Sequence, residues 1–287
     1  MKKKICIVTG ANRGIGRGIV EDLAQRGHHV ILVCRNANIG GEVLKSLINT
    51  YGKESAQLVT GDLSSIKNIE NLASALRKRF KYINILIHNA GVWPSKLQKT
   101  EDGLELAFMV NYLAPFYLTH HLLSLLKEGT PSRIVLVNAG LYQWGNFDPE
   151  FTPWGKDFGR IKTYMNSKLC GILFMRKIAP ILENSGVIIN AVHPGVIRTG
   201  LGDFQGIIGV LLKCVKRFLK PIEVGAKGPV NLALNPHIVT NGSYYDELEE
   251  KNIVEKALDD ELAAKLWDIS LQLCQIDKYD DIESKVD

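Results

Sequence analysis

The chain has 287 residues, 46% of them hydrophobic and 23% charged, and its formal net charge is +5 at pH 7. This composition is ordinary for a globular protein, and neither the mild charge nor any motif indicates a nucleic-acid partner. No apolar run reaches the length of about 20 residues that crosses a bilayer, so an integral membrane protein is not expected.

The cysteines and the first residues bear on the cellular compartment. Five scattered cysteines without C-x-x-C spacing favour neither a disulfide framework nor a metal site. They fit a reducing, cytoplasmic location. The basic start at residues 1–4 looks like that of a signal peptide, but the apolar run 5–8 ends at Thr9 and Gly10 and is too short for one. We therefore interpret this run as a strand.

The first predicted unit is a strand over 4–9, a glycine-rich turn and a helix that ends near Gly27. Glycines permit a tight turn and let the backbone approach a pyrophosphate, to which the helix N-terminus offers free N–H groups. This arrangement predicts a phosphate-binding turn. Its residues are Gly10, Asn12, Arg13, Gly14, Ile15 and Gly16.

The second predicted strand, 29–34, ends beside a basic residue. An acidic residue there would accept hydrogen bonds from the ribose hydroxyls of NAD, but the chain continues with Arg35. Together with Arg13, it supplies guanidinium groups suited to a 2′-phosphate, which favours NADP(H) over NAD(H). The alternative is that both arginines are simply exposed and solvated.

The alternation continues through helix 38–51, strand 56–60, helix 66–80 and strand 83–88. Crossovers of this length predict a parallel, doubly wound sheet, which binds its ligands at the carboxyl ends of the strands. The residues expected at that edge are Asp62, Leu63, Asn89, Ala90 and Gly91. His88 ends an apolar strand, and we expect it to be packed rather than catalytic.

Asn111 lies in the middle of a helix predicted over 103–127. A buried amide needs hydrogen-bond partners, and two explanations are open. Near Pro115, which has no N–H, a freed backbone carbonyl could bind a water linked to a catalytic lysine. Alternatively, the amide of Asn111 joins two packed helices.

A strand over 133–138 leads through a loop to a helix that carries Tyr164 and Lys168 and is predicted to extend to residue 184. Residues four apart project from the same side of a helix. A phenol is a weak acid with a reference pKa of about 10, and a neighbouring ammonium favours its ionised form. The pair is therefore suited to exchange a proton with a substrate oxygen.

The last third of the chain supplies a further turn and a cap. Strand 187–193 precedes backbone donors and a threonine suited to a carboxamide. That turn contains Pro194, Gly195, Val196, Ile197 and Thr199. As a helix, 203–220 would have a basic stripe opposite an apolar face, fit to cap an apolar pocket or to contact an anionic membrane. We assign 203–235 to a helical substrate cap and 242–287 to a last strand and helix.

In this order, the motifs resemble the short-chain dehydrogenase/reductase family over nearly the whole chain. They are Thr9-Gly-x-x-x-Gly14-x-Gly16, Asp62-Leu63, Asn89-Ala-Gly91, Asn111, Tyr164-x-x-x-Lys168 and Pro194-Gly-x-x-x-Thr199. The stretch 259–270 and the insertion between Ala139 and Tyr164 are similar to the retinol-dehydrogenase-like subgroup. Members of that subgroup act on lipophilic carbonyls and alcohols.

The resemblance implies one NADP-binding Rossmann-type domain over 1–287, with a parallel sheet of about seven strands. It implies that Tyr164 acts as general acid and base and that Lys168 tunes it and binds the nicotinamide ribose. Asn111 would hold the water of a proton relay, and Thr199 would orient the carboxamide. The expected substrate pocket contains Trp93, Ala139, Tyr142 and Leu201.

One position departs from the family pattern. Members usually carry a serine at the end of the fifth strand whose hydroxyl donates to the substrate oxygen, and Ala139 stands there. Losing such a donor typically costs roughly 3 to 4 kcal/mol, on the order of a hundred- to a thousand-fold in rate. Asn138, Tyr142 and Gln143 are candidates to replace it.

The sequence is compatible with three functions. The first is an NADP(H)-dependent oxidoreductase acting on a lipophilic carbonyl or alcohol. The second is a non-redox step, such as an isomerisation or cyclisation, with Tyr164 as the acid. The third is NADPH binding without turnover, against which the complete set of Tyr164, Lys168 and Asn111 argues. Apolar faces on helices 111–126 and 164–182 are also consistent with a homodimer.

Overall fold

The computed structural model describes residues 3–197 and 220–279, and eight strands form its sheet. They are β1 Ile5–Thr9, β2 His29–Cys34, β3 Ala56–Thr60, β4 Ile85–His88, β5 Ser132–Val137, β6 Val187–His193, β7 Tyr244–Asp246 and β8 Glu249–Lys251. Their order is β3-β2-β1-β4-β5-β6-β7-β8. Neighbouring strands are parallel except for β7 and β8, which are antiparallel.

Helices cover both faces of the sheet. They are α1 Gly14–Gln25, α2 Ala37–Tyr51, α3 Ile66–Arg79, α4 Leu106–Phe108, α5 Ala114–Glu128, α6 Arg160–Ile178, α7 Ile222–Leu234 and α8 Asp260–Leu273. The first face is covered by α1, α2 and α7, and the second by α3, α5 and α6. Apolar strands sandwiched in this way fit a parallel sheet, and the predicted doubly wound fold is confirmed.

The strand order determines where along the sheet a ligand-binding crevice forms. The order reverses between β1 and β4, because the chain first builds outward to β3 and then returns to the other side of β1. In open sheets of this kind, the carboxyl ends of the strands on either side of the reversal flank a crevice. The residues that follow β1, β4, β5 and β6 therefore meet at one edge.

The helix around Asn111 differs from its prediction. It starts at Leu106, where the carboxylate of Glu105 accepts a hydrogen bond from the N–H of Phe108 at 2.7 Å. A π-helical turn over Met109–Leu113 then joins α4 to α5. The helix that carries Tyr164 is shorter than predicted, because Pro180 has no N–H with which to continue it beyond Ile178.

The eighth strand, β8, was not predicted. Its sequence, Glu249-Glu250-Lys251, is charged and exposed, so it lacks the apolar alternation by which a strand is recognised. It is paired because the chain turns back tightly after β7, with Glu247 in the left-handed region at φ +56°. The hairpin places a charged edge at the end of the sheet.

His88 is packed, as predicted. It is 3% exposed, and its Nε2 lies 2.9 Å from the hydroxyl of Thr119. Burial lowers its pKa to about 3, so the imidazole is neutral.

The apolar faces of α5 and α6 are covered by the chain's own C-terminal part. Phe116 of α5 packs edge-on against Trp267 of α8, and against Tyr279, whose hydroxyl donates to the carbonyl of Phe116 at 2.6 Å. Tyr112 shares a 2.5 Å hydrogen bond with Ser270 of α8. The pattern that suggested a homodimer is therefore explained by packing within the chain.

The predicted cap is only partly within the described residues. The stretch 203–219, with Thr199 and Leu201, lies outside the described residues. The described portion of the cap forms α7, which packs on α1. Among the helices within 3–197 and 220–279, none is both long and apolar enough to cross a membrane.

Candidate active site

A single cavity of about 1240 Å³ runs along the carboxyl edge of the sheet and joins most of the predicted site residues. The predicted residues that line it are Gly10, Asn12, Arg13, Gly14, Ile15, Gly16, Arg35, Asp62, Leu63, Asn89, Ala90, Gly91, Trp93, Asn138, Ala139, Tyr164, Lys168, Pro194, Gly195, Val196 and Ile197. Its size suits a dinucleotide with a further small molecule.

The glycine turn after β1 has a conformation that only glycine adopts readily. Gly10 and Gly14 have φ values of +65° and +54°. A Cβ atom on Gly16 would lie 2.3 Å from the carbonyl oxygen of Gly10, so this position excludes any side chain. The amide of Asn89 donates to the carbonyls of Thr9 and Gly10 at 2.8 and 3.2 Å and fixes the turn against the end of β4.

This turn fits the diphosphate of a nicotinamide dinucleotide. The first turn of α1, at Gly14, lines the cavity, and no side chain in the described part of the chain caps it. Its N–H groups and the positive end of the helix dipole are therefore free to bind an anion.

Arg35 and Arg13 both line the cavity and are both exposed. The guanidinium of Arg35 lies 3.9 Å from the carboxylate of Asp62, and its side chain is 76% exposed. Asp62 is itself oriented by Ser64, whose N–H and hydroxyl donate to it at 3.0 and 2.8 Å. An exposed pair at this distance is weak, so Arg35 is able to turn toward a bound phosphate.

Tyr164 and Lys168 project from α6 into the buried part of the cavity. Tyr164 is 5% exposed and Lys168 is 7% exposed, and the ammonium lies 5.7 Å from the centre of the phenol ring. The ammonium donates to the carbonyl of Val137 at 3.0 Å, which ties α6 to the end of β5.

Burial shifts both of these groups toward their neutral forms. It lowers the pKa of Lys168 to about 8 and raises the pKa of Tyr164 above its ordinary value. The sequence-based prediction that the ammonium lowers the phenol pKa is therefore wrong for this structure. Desolvation dominates, and the ammonium is directed to Val137. A protonated phenol is suited to give its proton to a substrate oxygen.

Asn111 connects three elements through its side chain. Its amide N–H₂ donates to the carbonyl of Val92 at 3.0 Å and to the hydroxyl of Ser167 at 2.9 Å, and its oxygen accepts from the N–H of Val92 at 2.8 Å. The packing explanation therefore accounts for the side chain. Pro115 also leaves the backbone carbonyl of Asn111 without its α-helical donor, so a water held by that carbonyl stays a prediction.

Asn138 does not replace the missing serine. Its amide donates to the carbonyl of Lys168 at 3.1 Å, and its oxygen accepts from the N–H of Ala139 at 2.7 Å. Both ends of the amide are thus engaged: the N–H₂ group joins the end of β5 to α6, and the oxygen holds the backbone of Ala139. Ala139 lines the cavity and supplies a methyl group where a donor was expected.

Tyr142 was predicted in the substrate pocket, and this is wrong. Its hydroxyl accepts a hydrogen bond from the N–H of Val254 at 3.3 Å, and its ring packs edge-on against Tyr244. The cause is the short 3₁₀ turn over Gly140–Trp144, which turns this side chain into the core. The next residue, Gln143, is exposed and lines the cavity.

His193 is a cavity residue that was not predicted from the sequence. It ends β6 beside Gly140, and its Nδ1 is buried without a hydrogen-bond partner in the described residues. Burial lowers its pKa, so the ring is neutral. Its position at the end of a strand on the ligand-binding edge was a usable signal.

Several large apolar side chains also line the cavity. They are Trp93, Leu106, Val110, Leu141 and Trp144. The indole of Trp93 is stacked on the ring of Tyr164, with ring centres 4.3 Å apart and planes 10° apart. Such walls favour a lipophilic molecule beside the phenol.

Comparison with known proteins gives a consistent result. A family model described as short chain dehydrogenase matches residues 4–149, which include the glycine turn but end before Tyr164. Retinol dehydrogenase 14 of Mus musculus is 36% identical and is aligned over 94% of this chain and 85% of its own. Retinol dehydrogenase 11 of Homo sapiens is 34% identical over 94% and 85%.

Solved structures resemble the fold at lower identity. An uncharacterized protein from Mycobacterium paratuberculosis has a TM-score of 0.76 and 23% identity, and the match covers 95% of this chain and 93% of that one. An NADPH-bound carbonyl reductase from chicken fatty liver has a TM-score of 0.65 and 20% identity, with 86% and 97% covered.

Proposed function

The chain belongs to the short-chain dehydrogenase family, and we propose that within it the protein is an NADP(H)-dependent oxidoreductase for lipophilic carbonyls or alcohols. Nicotinamide-dependent oxidoreductase activity follows from the family and its relatives. The observation that carries the proposed site is that one cavity joins the glycine turn to Tyr164 and Lys168. The non-redox and binding-only alternatives are not favoured.

The proposed roles follow from the positions of the side chains. A bound nicotinamide cofactor supplies or accepts a hydride. Tyr164 would give its phenol proton to the substrate oxygen in reduction and accept it in oxidation. Lys168 would bind the nicotinamide ribose, and Asn111 would keep Val92 and α6 in position around the pair. Val196 and Ile197 line the same cavity, and we assign them with the turn 194–199 to the nicotinamide end.

A lipophilic substrate is supported by two independent observations. The relatives are retinol dehydrogenases, and retinol is a lipophilic alcohol. Trp93 is stacked on Tyr164, Leu106 and Val110 line the same cavity, and none of these three side chains carries a charge. Contact of the segment 203–220 with a membrane remains a prediction.

The function is tested by following NADPH absorbance with a panel of lipophilic aldehydes and ketones. We expect absorbance to fall with at least one of them. Tight NADPH binding with no turnover on any carbonyl or alcohol in the panel would move the protein to the binding-only or non-redox alternatives. Product analysis by mass spectrometry separates those two.

Replacement of Arg35 is expected to weaken NADPH selectively. In Arg35→Ala, the affinity for NADPH should fall about 10- to 100-fold, since a charge-assisted hydrogen bond to phosphate contributes roughly 1.5 to 3 kcal/mol. The affinity for NADH should change little, because NADH has no 2′-phosphate. Titration of the nicotinamide fluorescence measures both affinities.

The control for Arg35 is Arg17→Ala, which removes an exposed arginine of α1 that pairs with Glu21 at 2.8 Å. It should leave both affinities unchanged. Equal NADPH and NADH affinities in the native protein would contradict the proposed preference.

The affinity for NADPH is expected to fall as the pH rises through about 8. The pKa of Lys168 is lowered to about 8, so its ammonium is present below that pH and lost above it. Loss of a charged donor to the ribose should weaken binding about tenfold or more. Fluorescence titrations at a series of pH values measure this change.

Lys168→Arg is the matched control for that pH dependence, because a guanidinium stays charged throughout this range. The variant should bind NADPH with an affinity that is flat across the same pH values. A fall that persists in Lys168→Arg would assign the titration to another group.

A further inference from the structure

Trp93 was predicted to lie in the substrate pocket, and it belongs to none of the family motifs. In the structure it contacts Tyr164. Its indole lies flat on the phenol ring, with centres 4.3 Å apart and planes 10° apart. Tyr164 is 5% exposed, and the indole covers part of its ring. Parallel aromatic rings at this separation attract one another beyond the area that they bury.

The indole is fixed to the same helix at a second point. Its Nε1–H donates to the carbonyl of Arg160 at 2.7 Å. Arg160 and Tyr164 are four residues apart, so they lie one above the other on one side of α6. The indole thus spans the first turn of this helix, with one contact at either end of the turn.

The backbone that carries Trp93 is also held. The N–H and carbonyl of the preceding residue, Val92, are both bonded to the side chain of Asn111. Asn111 in turn donates to Ser167 of α6. Pro94 follows directly, and its ring limits the backbone further. A large side chain held at its backbone and at its ring forms a rigid wall rather than a movable one.

The indole of Trp93 has a larger effect on the position of the substrate in this site, because Ala139 supplies no hydroxyl to hold the substrate oxygen. In a site with a serine at that position, a second hydrogen bond would fix the substrate oxygen against the phenol. Here, the shape of the cavity must do more of the positioning. Trp93 lines the cavity and touches the ring of Tyr164, so it limits the space beside the reacting carbonyl.

We propose that Trp93 is the specificity-determining wall of the site: it holds the Tyr164 ring in place and bars a carbonyl compound that carries two alkyl chains. This inference rests on the proposed oxidoreductase function. Trp93 acts on the substrate by exclusion and on Tyr164 as a positioning residue.

The test compares octanal with dibutyl ketone as substrates of the NADPH-loaded protein. In Trp93→Ala, the kcat/KM ratio of the ketone to the aldehyde should rise at least about tenfold, within the range of steric discrimination by apolar pockets. The kcat for octanal should fall while its KM changes little, because the phenol loses its support. Trp93→Phe keeps an aromatic ring on Tyr164 and should restore much of the native behaviour.

Trp154→Phe is the matched control. Trp154 packs against the core, and this variant should keep the native ratio. An unchanged ratio in Trp93→Ala, with the variant folded, overturns the proposal.

A measurement without turnover separates this proposal from the proposed function. Proton NMR should show ring-current shifts of the Tyr164 resonances, assigned with Tyr164→Phe, which disappear in Trp93→Ala. Saturation-transfer NMR should show that Trp93→Ala gains affinity for dibutyl carbinol relative to octanol. If no variant reduces either carbonyl but Trp93→Ala gains affinity for dibutyl carbinol, the proposed oxidoreductase function is contradicted and the proposed role of Trp93 is supported. Absence of the native ring-current shifts overturns the wall itself.

Discussion

Tyr164→Phe is expected to lower kcat by about 10²- to 10⁴-fold, the usual contribution of a positioned general acid. The substitution removes one oxygen and keeps the ring that stacks on Trp93. The affinity for NADPH should stay within about twofold of the native value, because Lys168 and the glycine turn are unchanged. Initial rates and nicotinamide fluorescence measure the two quantities separately.

The matched control is Tyr142→Phe. This substitution also removes a buried phenol oxygen near the site, but the ring of Tyr142 faces Tyr244 and the core. We expect a small loss of stability and a nearly native kcat. If Tyr164→Phe keeps native turnover, the proton comes from another group, and His193 becomes the first candidate.

The fold was largely predictable because local signals agreed with the global arrangement. The strands over 29–34, 56–60 and 187–193 were predicted with the bounds that the structure has. Each combines apolar residues with turn residues at its end, and together these mark where the strand begins and stops. The glycine turn was predictable for a similar reason, since its backbone conformation demands glycine at Gly10 and Gly14.

What was not predictable depends on tertiary contacts. β8 pairs only because β7 is next to it, and its own residues are charged. The direction of Tyr142 is set by a short 3₁₀ turn and by Tyr244, more than a hundred residues away in the chain. The apolar surface of α5 resembled an interface because α8, which covers it, comes far later in the sequence.

For Tyr164 and Lys168, the position of the two groups was predictable from the sequence, but the direction of the phenol pKa shift was not. Their spacing predicts proximity, and the structure places the ammonium 5.7 Å from the phenol ring. It does not predict that both groups are almost fully buried. Burial disfavours both charges, so the sign of the phenol shift depends on solvent exclusion that no motif encodes.

Ala139→Ser is expected to raise kcat for carbonyl reduction by on the order of 10²- to 10³-fold if the site is an ordinary one that lacks a donor. Ala139 lines the cavity in an extended conformation, and its N–H is already held by Asn138 at 2.7 Å. A serine oxygen therefore enters the cavity without a change of backbone. Steady-state rates of NADPH oxidation with the best carbonyl measure the gain. Ala179→Ser is the control, because it makes the same change at a similarly buried position at the end of α6.

The variant Ala139→Ser/Tyr164→Phe tests how the gain arises. A serine that donates to the same oxygen as Tyr164 should give much less acceleration once the phenol is absent, because groups that act on one atom are not additive. An equal gain in both backgrounds would mean that the serine acts by positioning alone. A loss of the native reaction in Ala139→Ser would mean that the methyl group is part of a site built for different chemistry.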